Sequence, residues 1–311
     1  MNNLKKIIPL IFVVIFIFLI HRYYTNNIND FNFIYKINIL LIFWIIVLCF
    51  IYLLTEALIL KNIVNNLNKK IHLLESFFIM NSTYFCNSFV QFSGLGYRLY
   101  YLKKYKNLMI SQVFGLSIFT IACEVLIFSL IGIFSLIFID LVSNSININL
   151  TLYLVFAFFF ILSTFYLISP DALKLKILNI KIFKKFNIIN SILIKIFINI
   201  KNKKNFVYKQ SILFLFQYII LFLIFFSILN VLNTENYFYL SLLVTSLVDF
   251  SFLLAFTPYS VGITEIVTIL GTKDINFSFA ETLVLINFFR VCMLSIYFLF
   301  GPLFLIYKAV K

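Results

Sequence analysis

Long apolar runs alternate with short polar, lysine-bearing connections along almost the whole chain. Residues 7–20 are apolar, preceded by Lys5 and Lys6 and closed by His21, Arg22, Tyr23 and Tyr24. Further runs occupy residues 37–60, 108–139, 150–168, 211–232, 237–256 and 280–307. A helix that crosses a bilayer needs about 20 mostly apolar residues, and only helices or closed barrels satisfy their own backbone in lipid. The pattern therefore predicts an all-α polytopic membrane protein with about seven or eight spanning helices. One run differs. Residues 73–90 are interrupted by Glu75, Asn81, Ser82, Thr83, Asn87 and Ser88 and lead into Ser93-Gly94-Leu95-Gly96-Tyr97-Arg98. A second irregularity, Thr257-Pro258-Tyr259-Ser260-Val261-Gly262-Ile263-Thr264-Glu265, precedes a short apolar stretch at 266–271. One or two broken or re-entrant segments are expected at these places.

The connections set the orientation. Loops 61–72, 98–106 and 170–209 are lysine-rich, whereas 140–149 and 233–236 contain no lysine. Under the positive-inside bias the basic loops and the N-terminus face the cytoplasm. Basic loops on both sides of 73–97 then favour a segment that enters and returns on one side, the alternative being a full span with a basic external loop. Within 170–209, Ile189, Ile192, Leu193, Ile196, Phe197 and Ile200 recur at helical spacing among lysines, predicting an amphipathic helix lying in the cytoplasmic interface. The first run lacks a small-residue cleavage site after it and is expected to remain as a span. No long polar stretch interrupts the series, so residues 1–311 form a single membrane domain.

Composition strengthens this reading. Hydrophobic residues make up 63% and charged residues 12%, with a mean hydropathy of +1.07, too few polar groups for a water-facing exterior. Phe, Ile, Asn and Lys are all inflated, as expected of an A/T-rich genome, so aromatic content carries little information. The net charge of +14 sits in loops, which makes the anionic cytoplasmic leaflet its partner and argues against nucleic acid. The expected location is the cell (inner) membrane. Cys49, Cys86, Cys123 and Cys292 lie in apolar runs without paired spacing, and His21 and His72 are isolated. They form neither a disulfide framework nor a metal site, and no nucleotide or hydrolase motif is present, so no cofactor is expected.

Candidate chemistry lies in the two breaks and in the charges inside apolar runs. Paired breaks in the two halves of a chain point to a transporter site, since irregular backbone survives at membrane depth only inside protein or beside a wet cavity. Intramembrane ionisable groups are costly and mark function or pair with one another. They are Glu56, Glu124, Asp249, Glu265 and Arg290. Glu56 lies near the end of its run, where snorkelling or a pair with Lys61 accounts for it. A Glu265–Arg290 or Glu124–Arg98 pair satisfies both members. The candidate lipid-binding set is Gly94, Gly96, Arg98, Glu124, Asp249, Pro258, Ser260, Gly262, Glu265 and Arg290.

Two of these stretches carry a family resemblance. Gly94-Leu95-Gly96-Tyr97-Arg98-Leu99-Tyr100-Tyr101-Leu102 and Pro258 through Glu265 are similar to motifs of the lysylphosphatidylglycerol synthase transmembrane region, a flippase-like family of membrane proteins. The second stretch keeps Pro258, Gly262 and Glu265 but has fewer glycines than the family pattern. The resemblance implies a flippase or translocase of a phospholipid or lipid-linked sugar, without the soluble aminoacyl-transfer domain of the synthases. A membrane-embedded transferase using a buried carboxylate as base, or a non-catalytic assembly partner, are the other classes the residues allow. In the flippase reading, Arg98 and the Pro258–Glu265 break face one cavity open to the cytoplasmic side. There Arg98 holds a phosphate by two parallel hydrogen bonds, and Glu265 balances the charge when no lipid is bound.

Overall fold

The computed structural model describes residues 38–142, 150–168, 203–232, 237–254, 257–273 and 277–310. The expected first span at 7–20 and the amphipathic helix at 189–200 lie outside them. The elements are α1 (Ile39–Asn66), α2 (Leu73–Phe89), α3 (Ser93–Lys106), α4 (Ile110–Val142), α5 (Leu150–Ile168), α6 (Lys203–Leu232), α7 (Tyr237–Leu253), a 3-10 turn (Pro258–Ser260), α8 (Ile263–Thr272) and α9 (Phe279–Val310). All regular structure among the described residues is helical.

Among the described residues four helices are long and apolar enough to cross a bilayer: α1, α4, α6 and α9. Shorter apolar helices are found in α5 and α7. The central core is built where α1, α6, α7 and α9 meet, around Leu53, Ile224, Phe225, Val244 and Leu285, all fully buried. A second layer forms as α4 packs against α5, α7 and α6. Outward surfaces stay apolar, as with Leu154, Phe158 and Ile161 on α5. Such a surface suits lipid and not water.

The polar segment after α1 folds as a helical hairpin. The α2 chain turns through Val90-Gln91-Phe92 and returns as α3, which packs along it. At the far end Lys106 Nζ meets Glu75 Oε2 at 2.8 Å, and the Tyr101 hydroxyl donates to Glu75 Oε1 at 2.9 Å. The two ends of the hairpin are therefore together, the geometry of a segment that enters and returns on one side. At 17 and 14 residues, neither helix alone matches the ~20 needed to span.

The hairpin corrects one expectation. Gly94 and Gly96 are not the bend. The left-handed residue is Phe92, at φ 66°, and both glycines lie in the first turn of α3. Gly94 is required for proximity instead, because a Cβ there would sit 1.8 Å from the carbonyl oxygen of Thr83 on α2. Nothing lies within 4 Å of a Cβ built on Gly96. A glycine in a membrane hairpin serves close helix approach as readily as a turn.

The second break is bent backbone throughout. Tyr259, Ser260 and Gly262 all have positive φ, of 52°, 55° and 84°. Non-glycine residues rarely adopt this conformation unless the surroundings hold them there. The break then starts α8, which folds back against α7.

Candidate functional site

The charged residues expected from the sequence fall into two groups. The first is a closed pair. Glu265, on the first turn of α8, is fully buried, and the Arg290 guanidinium of α9 donates to both of its oxygens, to Oε2 at 3.3 Å. Glu265 Oε2 also accepts from the Gly262 amide at 2.9 Å, so the carboxylate caps the helix it begins. Arg290 reaches Asn287 Oδ1 at 3.0 Å and lies 5.8 Å from the centre of the Tyr259 ring. Buried ion pairs persist only when extra hydrogen bonds satisfy their remaining groups, and this one has them.

The backbone of the break is likewise occupied from within. The carbonyls of Thr257, Pro258, Val261 and Gly262 accept from the amides of Ser260 and Val261, the Thr257 hydroxyl and the amide of Ile266, at 2.8–3.3 Å. Thr264 bonds to the Ser260 carbonyl at 3.2 Å and receives the Ser251 hydroxyl from α7 at 3.0 Å. Those carbonyls already hold partners inside the fold, whereas the sequence suggested groups open to a ligand.

The second group surrounds a cavity of ≈ 170 Å³ between α1, α2, α3, α4 and α6. Arg98, Glu56, Glu124 and Tyr84 line it, with Met80, Ser117 and Thr120. The Arg98 guanidinium has no oxygen acceptor among the described residues. Its Nη1 meets the Met80 sulfur at 3.8 Å, and its Nε is buried without a partner. Glu56 accepts from the Gln217 amide on α6 at 2.5 Å. Glu124 lies within electrostatic reach of Glu56 and of Asp249 on α7, and Arg98 within reach of Glu56. Arg98 and Glu124 thus share a cavity without closing an ion pair.

None of residues 257–265 lines this cavity. The two groups are linked by tyrosines instead. Tyr84, on the cavity wall, stacks on Tyr297 with ring centres 5.0 Å apart, and Tyr297 meets Tyr259 edge-on at 5.9 Å. Tyr259 in turn carries Arg290.

Glu56 is the residue whose importance the sequence reading understated. The apolar run stops at residue 60, but α1 continues to Asn66. Glu56 is thus ten residues, about 15 Å, from the helix end at 1.5 Å per residue, too deep for simple snorkelling. Tyr84, Tyr297 and Gln217 had no local signal. Tyrosines were lost among inflated aromatics, and Gln217 is one of two amides in the run at 211–232, with Asn230.

A family model for the lysylphosphatidylglycerol synthase transmembrane region matches residues 6–301. No curated protein and no solved structure matches the chain. Membrane-length apolar helices, a polar helical hairpin and a match over nearly every residue lead to one assignment: this is an integral membrane protein belonging to the lysylphosphatidylglycerol synthase transmembrane region family.

Proposed function

We propose that the chain is a lipid translocase of the inner membrane whose Arg98 cavity receives the phosphate-bearing headgroup of a phospholipid or lipid-linked substrate. The observation that carries this reading is the Arg98 guanidinium, inside the helix bundle and without an oxygen acceptor among the described residues. An arginine at membrane depth is expensive unless something completes its hydrogen bonds. A phosphate does so with two parallel charge-assisted bonds. A cavity of ≈ 170 Å³ has room for such a group with a few waters, each occupying roughly 30 Å³.

The carboxylates refine the substrate class. Glu56 and Glu124 line the same cavity, with Asp249 within electrostatic reach. Carboxyl groups in the same cavity as Arg98 can accept hydrogen bonds from an ammonium. A headgroup that carries both phosphate and amine therefore fits better than one carrying phosphate alone. The basic loops orient the chain with its N-terminus and hairpin ends in the cytoplasm, facing an anionic leaflet. The cavity is then supplied from the cytoplasmic side, because the hairpin that carries Arg98 opens there.

The test is a reconstituted scrambling assay. Full-length protein is placed in vesicles with acyl-labelled phosphatidylethanolamine, phosphatidylglycerol or phosphatidylcholine, and the externally quenchable fraction is followed over time. The expected result is protein-dependent movement, fastest for the primary-amine lipid and abolished in Arg98→Ala. Rates equal to protein-free vesicles for all three lipids would sink the proposal.

A further inference from the structure

A different polar recess opens at the basic end of the α1–α6 pair. Its α1 wall is Leu58, Lys61, Asn62 and Asn65, and its α6 wall is Lys209, Ile212 and Leu213. The Arg98 cavity uses Glu56, Ile59, Leu60 and Ile63 of the same helix. At 100° per residue these two sets lie on opposite faces of α1, roughly 150° apart. The recess, of ≈ 330 Å³, thus faces away from the Arg98 cavity. A neighbouring hollow of ≈ 630 Å³ shares Lys61 and Asn65 and adds Lys69, Lys70 and His72.

Three features converge on a ligand. Among the described residues neither hollow has an aspartate or glutamate in its wall to neutralise the lysines. The Asn62 side-chain nitrogen is buried without an acceptor among the described residues, and buried amide donors ordinarily have one. Leu58, Ile212 and Leu213 supply an apolar wall beside the cations. Ammonium groups and an amide donor next to aliphatic surface are the complement of a phosphodiester with acyl chains attached. A free inorganic anion would make no use of the apolar side.

We propose that this groove binds the phosphodiester headgroup of an anionic phospholipid, taken laterally from the leaflet and held between Lys61 and Lys209. Its acyl chain lies along Leu58, Ile212 and Leu213. The site stands apart from the Arg98 cavity and does not require that the chain move lipid. Its occupant is a resident lipid at the helix surface, and either proposal can fail without the other.

The experiment is binding of tail-labelled phosphatidylglycerol to the purified full-length protein in neutral detergent, read by fluorescence anisotropy. Unlabelled phosphatidylglycerol, phosphatidylcholine and inorganic phosphate serve as competitors. Phosphatidylglycerol is expected to compete at least about tenfold better than phosphatidylcholine, and millimolar phosphate not at all. The pair Lys61→Gln with Lys209→Gln is expected to weaken binding about tenfold or more, in line with the contribution of each basic residue at an anionic surface. Lys61→Arg with Lys209→Arg keeps the charge and is expected to bind within about threefold of the parent. Equal competition by phosphatidylcholine, or undiminished binding in the glutamine pair, overturns the proposal. Competition by phosphate as effective as by the lipid overturns the lipid source in favour of a free anion. Loss of binding in the arginine pair as well assigns the effect to packing and also overturns it.

Discussion

Two arginine–carboxylate sites sit inside this membrane protein, and they are built to opposite specifications. Around Glu265 and Arg290 the charged groups engage each other: two bonds from the guanidinium to the carboxylate, one from the Gly262 amide, one to Asn287 and a ring beneath. Around Arg98 the guanidinium lacks an oxygen acceptor among the described residues, and two carboxyl groups stand in the same cavity without engaging it. The residue types are the same and the depth in lipid is costly in both. The difference teaches that intramembrane charges of the same residue types can be closed or left with unfilled hydrogen bonds, which composition alone does not reveal. The Glu265 site clamps a strained loop, whereas the Arg98 guanidinium lines a cavity with its hydrogen bonds unfilled among the described residues.

Breaking the closed pair gives the largest expected effect. Glu265→Gln or Arg290→Met leaves one buried charge without its partner, which costs about 3–5 kcal/mol. Glutamine keeps an amide oxygen that can still accept from the Gly262 amide, so the cap on α8 adds little to this cost. Thermal unfolding of the detergent-solubilised protein should show the loss directly, and Glu265→Gln combined with Arg290→Met should recover part of it. A single variant that unfolds at the parent temperature would remove the clamp from the comparison. Next in size is the helix contact that sets Arg98 in place. Gly94→Ala forces a Cβ to within 1.8 Å of the Thr83 carbonyl oxygen, so α2 and α3 must separate. Overpacking of this kind costs about 1–3 kcal/mol. Gly96→Ala meets nothing within 4 Å and should be neutral or stabilising by up to about 1 kcal/mol, since alanine is the better helix former. Comparing the unfolding temperatures of the two variants separates a packing glycine from a permissive one.

The same contrast shows what was legible in the sequence. The order of the described helices follows from the apolar runs, because bilayer thickness leaves few ways to arrange them, but α1 and α6 extend past their runs, to Asn66 and from Lys203. The 258–265 break was legible from proline and glycine in an apolar context, and the Glu265–Arg290 pair from the rule that buried charges seek opposites. The open site was harder to read. Glu56 and Gln217 meet across 161 positions, and local periodicity holds no information about that contact. Tyr84, Tyr297 and Tyr259 form a continuous contact in space from one site to the other, yet each looks like one more ring in a chain with 18 tyrosines and 42 phenylalanines. Gly94 and Gly96 looked alike and are not, because one faces a carbonyl and the other open space.

Arg98→Lys probes the open site more gently than the variants that break the clamp. Lysine keeps the charge but not the planar fork, so a bidentate phosphate site should lose about 1–2 kcal/mol of binding, or roughly 5- to 30-fold. Stability should change little, since the guanidinium makes no strong bond to lose. Lipid movement in vesicles and thermal unfolding in detergent, measured on the same preparation, separate the two. A fall in stability matching that of Arg290→Met would make the two sites alike and end the contrast.

The smallest expected effect concerns Glu75, a second carboxylate with a bonded cationic partner, at the joined ends of the hairpin. It receives Lys106 at 2.8 Å and the Tyr101 hydroxyl at 2.9 Å, and both side chains of the ion pair are about 20% exposed. Water and salt reach such a pair, so its contribution falls toward the range of surface salt bridges, about 0.2–1 kcal/mol. Glu75→Gln keeps an acceptor for the tyrosine and removes only the charge. The unfolding temperature should therefore drop slightly, and raising the ionic strength should shrink the gap between parent and variant as the attraction is screened. The Glu265→Gln deficit should not shrink with salt, because that pair is sealed from solvent. If the Glu75 deficit were equally insensitive to salt, the hairpin ends would be closed off from water, and a headgroup entering the Arg98 cavity would have to come from the membrane side.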